Sequence, residues 1–167
     1  MKKIVVCSIP VLFVLLAVWM IGHFKIHPVS GTSMEEKLHD GDHVVVNTQS
    51  TIERYDVVGF SLGGESDLYV KRVIGMPGDR IIVANQTMII NLNEAGDLTT
   101  TYQVKLSKQT ADKLRQLKEI PKDNYFLLGD HLDVSNDSRS FGFVSRSLIE
   151  GKIQLRLYPL QRIDTIS

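Results

Sequence analysis

The feature that most constrains this chain is its leader. Residues Ile4 to Gly22 read IVVCSIPVLFVLLAVWMIG and contain no charged side chain. At about 1.5 Å per residue, nineteen such residues reach about 28 Å as a helix, close to the thickness of a bilayer's hydrocarbon core. Pro10 in the first half is tolerated better in a lipid-facing helix than in a soluble one. Trp19 sits where an interfacial anchor belongs. A cleaved leader would need small residues at −3 and −1 just after the apolar run. The run instead closes on Trp19-Met20-Ile21-Gly22-His23-Phe24-Lys25. The leader therefore reads as an uncleaved transmembrane anchor over 4–22, with 1–3 as a cytoplasmic tail. Lys2, Lys3 and the amino terminus mark the cytoplasmic side, Lys25 being a weak opposing signal. The body, 23–167, is expected outside the cytoplasm. Cys7 reads as a small apolar residue in lipid.

Composition then narrows the body. The 167 residues hold 19 bases and 19 acids. Lys2 and Lys3 leave with the leader, so the body carries a small net negative charge. No basic excess supports a general nucleic-acid binder. With 43% hydrophobic and 23% charged residues, the chain is not disordered. A single cysteine excludes an intrachain disulfide framework and a Cys-based zinc site.

The body is dominated by strand signals. His43–Asn47, Asp56–Ser61, Leu68–Ile74, Thr99–Leu106, Asn124–Leu128 and Lys152–Tyr158 are candidate strands. Arg80–Ala84 and Thr87–Asn91 flank Asn85-Gln86 as a hairpin, and Met76-Pro77-Gly78-Asp79 is a turn. Ser107–Lys118 is the one good soluble helix, with Ser107 as N-cap. Residues 23–30 read as a short link to the membrane. The expected fold class is mainly β, a single N-terminal transmembrane helix followed by a β-rich domain.

Three segments carry possible chemistry: Ser30 to Met34, Tyr69 to Gly75, and Leu128 to Arg139. Alone, a serine in a glycine-rich turn or a lysine in a strand means little. Strand alternation sharpens the second: Lys71 shares a face with Tyr69, Val73 and Gly75, and Arg72 shares the other with Val70 and Ile74. A buried lysine loses its proton easily and can then act as a general base. To be mostly neutral near pH 7 it must fall about 3 units from roughly 10.4. Other arrangements fit worse. Gly31-Thr32-Ser33-Met34-Glu35 lacks the closing glycine of a nucleophile elbow. None of the five histidines lies in a recognisable triad signature. His39-Asp40-Gly41-Asp42-His43 has metal-ligand residue types but reads better as a turn before a strand, and Asp133, Ser135 and Asp137 fail the rest of a calcium loop.

Together these segments resemble the bacterial type I signal peptidases, membrane-bound Ser-Lys proteases. The family's Ser-Met-x-Pro-Thr-Leu motif stands here as Ser33-Met34-Glu35-Glu36-Lys37-Leu38. Its Tyr-x-Lys-Arg core with a Gly-x-Pro-Gly-Asp tail stands nearly whole from Tyr69 to Asp79. Its Gly-Asp-Asn-Arg-x-x-Ser-x-Asp-Ser-Arg motif stands as Gly129 to Arg139, with His131 and Leu132 in place of Asn-Arg. The resemblance runs from the leader to about Tyr158. It implies Ser33 as nucleophile, Lys71 as general base and Ser135 as the group orienting the lysine amine. It implies Arg72, Asp137 and Arg139 as one supporting salt-bridge group that fixes the 129–142 loop. The Ser33 backbone N–H would be one oxyanion donor; Gly31 stands where some relatives place a hydroxyl donor, and glycine offers no side chain. The implied substrates are signal peptides of exported preproteins, cut after a small residue, with the lipid bilayer as the other partner and with no cofactor, metal or nucleic acid. Glu36, Lys37, His131 and Leu132 depart from the family and point to a restricted substrate set. The alternative is a weakly active or non-catalytic assembly factor for surface polymers such as pili.

Overall fold

The computed structural model describes residues 4–62, 68–91 and 101–166, with the side chains of 4–10, 16 and 17 left out. The expected cytoplasmic tail, the side chains of Cys7 and Pro10, and the start of the Thr99–Leu106 strand lie outside the described residues. Helix α1 spans Ile4–His23. Among the described residues, no helix is long and apolar enough to cross a membrane.

The chain enters the sheet at once. Strand β1 (Phe24–Pro28) pairs antiparallel with β2 (His43–Asn47), from Phe24 opposite Asn47 to Pro28 opposite His43. The segment expected to be a membrane link is therefore an edge strand. Phe-Lys-Ile-His-Pro alternates weakly and ends in proline, which only an edge tolerates.

Next come β3 (Val57–Phe60), β4 (Tyr69–Gly75), the hairpin β5 (Ile81–Ala84) and β6 (Thr87–Asn91), and β7 (Thr101–Lys105). The hairpin turns on Asn85 and Gln86, both at positive φ, the geometry a two-residue primed turn requires. Helix α2 spans Lys108–Leu114, shorter than expected; Ser107 caps it by accepting the Thr110 N–H at 3.1 Å. Strand β8 (Asn124–Leu128), helix α3 (Ser138–Phe141), β9 (Val144–Ser145), β10 (Ile149–Tyr158) and β11 (Asp164–Thr165) complete the order.

The main sheet runs β1-β2-β10-β3-β4-β8-β9, with β11 added to β10; β5-β6-β7 form a second sheet. Strand β4 lies inside the main sheet, and its residues feed three apolar clusters. Val70 joins Met34, Leu38, Val44, Val46 and Ile153. Val73 joins Val58, Phe60 and Leu127. Ile74 joins Met88, Ile90, Ile120 and Phe126. A strand covered on both faces has no solvated side, so any charged residue on it must be buried or paired.

Candidate active site

Ser33 lies in the turn between β1 and β2. The base of that turn is closed by the Val29 N–H to the Asp42 carbonyl at 2.7 Å and the Gly41 N–H to the Val29 carbonyl at 3.0 Å. Met34, 1% exposed, and Leu38, fully buried, nail the turn into the core on either side of Glu35, Glu36 and Lys37. Gly31 has φ +87°, a backbone geometry that favours glycine.

Lys71 sits on β4 opposite Val58 and is 3% exposed. Its Nζ lies 2.6 Å from Ser33 Oγ and 3.0 Å from the Val70 carbonyl, donating to both. Burial lowers its pKa from 10.5 to about 8, while the carboxylates of Asp137 and Asp130 pull the other way. That opposing field explains why the amine stops short of the fall expected from burial alone. About a tenth of the population is neutral at pH 7.

The loop after β8 supplies the remaining groups, arranged differently from expectation. Arg72 does not join Asp137 and Arg139. It makes a two-pronged pair with Asp130, Nε to Oδ1 at 2.8 Å and Nη2 to Oδ2 at 2.7 Å, and its Nη1 donates to the Tyr55 carbonyl at 2.7 Å. Asp137, fully buried, caps α3 by accepting the Arg139 N–H at 3.1 Å and also accepts the Gly129 N–H at 3.2 Å. Arg139 Nε pairs with it at 2.8 Å, and Arg139 Nη2 holds the carbonyls of Leu132 at 2.6 Å and Ser135 at 3.2 Å. Two ion pairs, not one group, thus fix the loop: Arg72 pins its start and Arg139 its end. The hydrogen bond to its partner carboxylate is the main cause that raises each guanidinium's pKa above its ordinary value.

Ser135 is not bonded to Lys71. Its Oγ is buried and has no hydrogen-bond partner among the described residues. It does reach the site: a Cβ on Gly129 would overlap Ser135 Oγ and come within 2.7 Å of the Ser33 carbonyl oxygen. Only glycine at 129 lets the loop close on the Ser33 turn. The His131 N–H then donates to the Ser33 carbonyl at 3.0 Å, joining the two segments through backbone. Asp130 lies within the Gly129–Arg139 motif, where the resemblance implies no role for it. With three aspartates in eight residues, spacing alone does not say which one reaches Arg72.

A groove of about 390 Å³ adjoins this site, lined by Glu36, Lys37, Tyr55, Arg72, Tyr102, Asp130 and Leu132 among others. Three of the four positions that depart from the family pattern border it or its rim. His131, the fourth residue in question, stands 3.7 Å from the Glu35 carboxylate on the same side of the turn.

A family model described as "Signal peptidase, peptidase S26" matches residues 1–158. The chain belongs to the S26 family of signal peptidases. It is 37% identical to signal peptidase IB of Staphylococcus aureus, over 92% of this chain and 88% of that protein. Signal peptidase I of Bacillus caldolyticus is 34% identical over 83% of this chain and 82% of the relative. A crystal structure of a signal peptidase I from Enterococcus faecalis shares 26% identity, with a TM-score of 0.42, covering 62% of this chain and 97% of that one. Membership of the signal peptidase family makes the chain a type I signal peptidase, a serine endopeptidase whose reaction is the removal of signal peptides.

Proposed function

We propose that Ser33 and Lys71 form the catalytic dyad of this peptidase. The observation that carries the reading is the 2.6 Å approach of a buried lysine, its pKa lowered by that burial, to the Ser33 hydroxyl. In the resting form the amine is mostly charged and donates to Oγ. Once neutral, Lys71 accepts the Oγ proton as Ser33 attacks the scissile carbonyl. The negative charge on the carbonyl oxygen is met by the Ser33 N–H. The turn's internal bonds use the N–H groups of Glu35, Lys37 and Leu38 and leave that of Ser33 out of them. Lys71 then gives its proton to the leaving amine, the mature chain departs, and water activated by Lys71 cleaves the acyl-enzyme. Ser135, with a buried hydroxyl that has spare bonding capacity, is assigned to steady the lysine amine in the working state. Arg72 and Arg139, through Asp130 and Asp137, hold the loop on which Ser135 rides.

The uncharged leader 4–22 supports a transmembrane anchor with the catalytic domain outside the cytoplasm. That arrangement brings the domain to the point where a signal peptide leaves the bilayer. Glu36 and Lys37, on a groove next to the nucleophile turn, support a restricted set of preproteins. The test is incubation of wild type and Ser33→Ala with a preprotein bearing an Ala-x-Ala site. Cleavage by wild type and none by the variant is the expected result. Comparable cleavage by both would remove Ser33 from the mechanism, and cleavage by neither would favour an assembly role.

A further inference from the structure

The turn that carries Ser33 is braced from beneath by a buried polar cluster that the dyad chemistry does not use. Asp42 is fully buried, a costly place for a carboxylate without partners. It has three. The His39 N–H donates to Oδ2 at 2.9 Å, Arg162 Nη2 donates to Oδ1 at 2.9 Å, and Arg156 Nη1 lies 3.5 Å from Oδ2. Arg156, 9% exposed, comes from β10 and also donates to two backbone carbonyls. Its Nη1 donates to the Lys37 carbonyl at 2.6 Å and its Nε to the Arg162 carbonyl at 2.5 Å. Arg162 belongs to the short turn Leu160–Arg162 that follows β10, and β11 then folds back onto β10.

These contacts have a direction. Lys37 lies four residues beyond Ser33, and the Lys37 and Leu38 N–H groups both bond the Met34 carbonyl, at 2.9 and 2.7 Å. The peptide whose carbonyl Arg156 grips is therefore tied, through one hydrogen-bonded turn, to the residue next to the nucleophile. Residues 33–38 are held by Met34 and Leu38 in the core, by the His131 N–H on the Ser33 carbonyl, and by Arg156 from below. The apolar contacts fix depth. The charge-assisted bond at the Lys37 carbonyl has the directionality to fix rotation of the turn. Rotation sets where the Ser33 N–H and Oγ point.

We infer that Arg156, locked by Asp42 and Arg162, is a positioning residue that orients the Ser33 turn for attack and for oxyanion binding. The inference rests on Ser33 being the nucleophile. It gives the C-terminal segment a part in catalysis: the last turn of the chain clamps the arginine that aims the nucleophile. Because Arg156 acts on a geometry that matters most in the transition state, its loss lowers kcat and leaves KM nearly unchanged. Lysine in its place is a point charge without the guanidinium fork, so it restores only part of the effect.

The experiment uses the full-length protein in detergent and compares wild type, Arg156→Gln, Arg156→Lys and Arg162→Ala. Steady-state kinetics on one cleavable preprotein are read beside amide hydrogen exchange in the folded state. Expected is a fall in kcat of at least tenfold for Arg156→Gln, with KM within about twofold and the pH at which activity breaks unchanged. Arg156→Lys and Arg162→Ala are expected to fall between it and wild type. Amides of Glu35, Lys37 and Leu38 should exchange at least tenfold faster in Arg156→Gln while those of β4 do not change. A kcat loss that only tracks the folded fraction, or unchanged exchange in the turn, would overturn the inference. If wild type itself shows no Ser33-dependent cleavage, the peptidase dyad fails and the catalytic part of this inference falls with it. The exchange data then decide separately whether Arg156 braces the turn.

Discussion

Lys71, the proposed general base, is a residue whose burial costs stability. Its pKa of about 8 against the ordinary 10.5 corresponds to on the order of 3 kcal/mol, the cost of burying the charged amine at neutral pH. The folded chain sheds this proton at lower pH than the unfolded chain does. Between about 8 and 10.5 the unfolded state therefore binds more protons, and stability rises with pH. Below about 8 the penalty is complete. Lys71→Met is accordingly expected to abolish cleavage yet melt no lower than wild type at pH 7, with any advantage shrinking toward pH 10.5. A melting midpoint lowered by several degrees at pH 7 would show that the amine is a net stabiliser. The sequence disclosed this residue because apolar neighbours on both sides of Lys71-Arg72 left no wet face for either cation. It did not disclose the opposing field of Asp130 and Asp137, which depends on a loop packed back onto β4 from more than fifty residues away.

At the level of elements, the 129–142 loop is held by two paired carboxylates, Asp130 and Asp137. Asp137 is fully buried and satisfies the Gly129 N–H, the start of α3 and Arg139 at once. Asp137→Ala strands a guanidinium and two N–H groups, a loss of about 3–5 kcal/mol. Arg72→Ala strands the Asp130 carboxylate, 13% exposed, but no backbone N–H of the loop, so it should cost less. Urea unfolding of both variants checks the order; a larger loss in Arg72→Ala would mean the wrong pair bears the load. Helix α3 was not legible beforehand, since four residues are too few to show a 3.6-residue period. Strand β1 was hidden for another reason, its proline and two basic side chains masking an edge strand. By contrast β2 and β8 matched their predicted ranges, as their β-branched and aromatic runs are bounded by turn residues.

Across the whole molecule, most of the scaffold follows from alternating apolar runs, and three motifs kept in order point to the proposed site. The departures of Glu36 and Lys37 leave the machinery itself whole. The Glu36 N–H is outside the turn's bonding pattern, so proline there breaks none of those bonds, and where the backbone accommodates it the gain through the unfolded chain is only about 0.4–1 kcal/mol. Glu36→Pro with Lys37→Thr is expected to change kcat/KM on any one preprotein by less than about tenfold, roughly 1.4 kcal/mol of barrier, while reordering preference among several. A gain of hundreds-fold on every preprotein would mark the native chain as a disabled enzyme and raise the assembly-factor alternative. The claim on which the rest depends is that a lysine, not a histidine, takes the serine proton. The pH dependence of kcat/KM for preprotein cleavage reports the free enzyme's base. The expected result is an acid limb that rises with unit slope and breaks near 8, and that is lost along with activity in Lys71→Ala. A break near 6.5, or a limb that survives in Lys71→Ala, would contradict it.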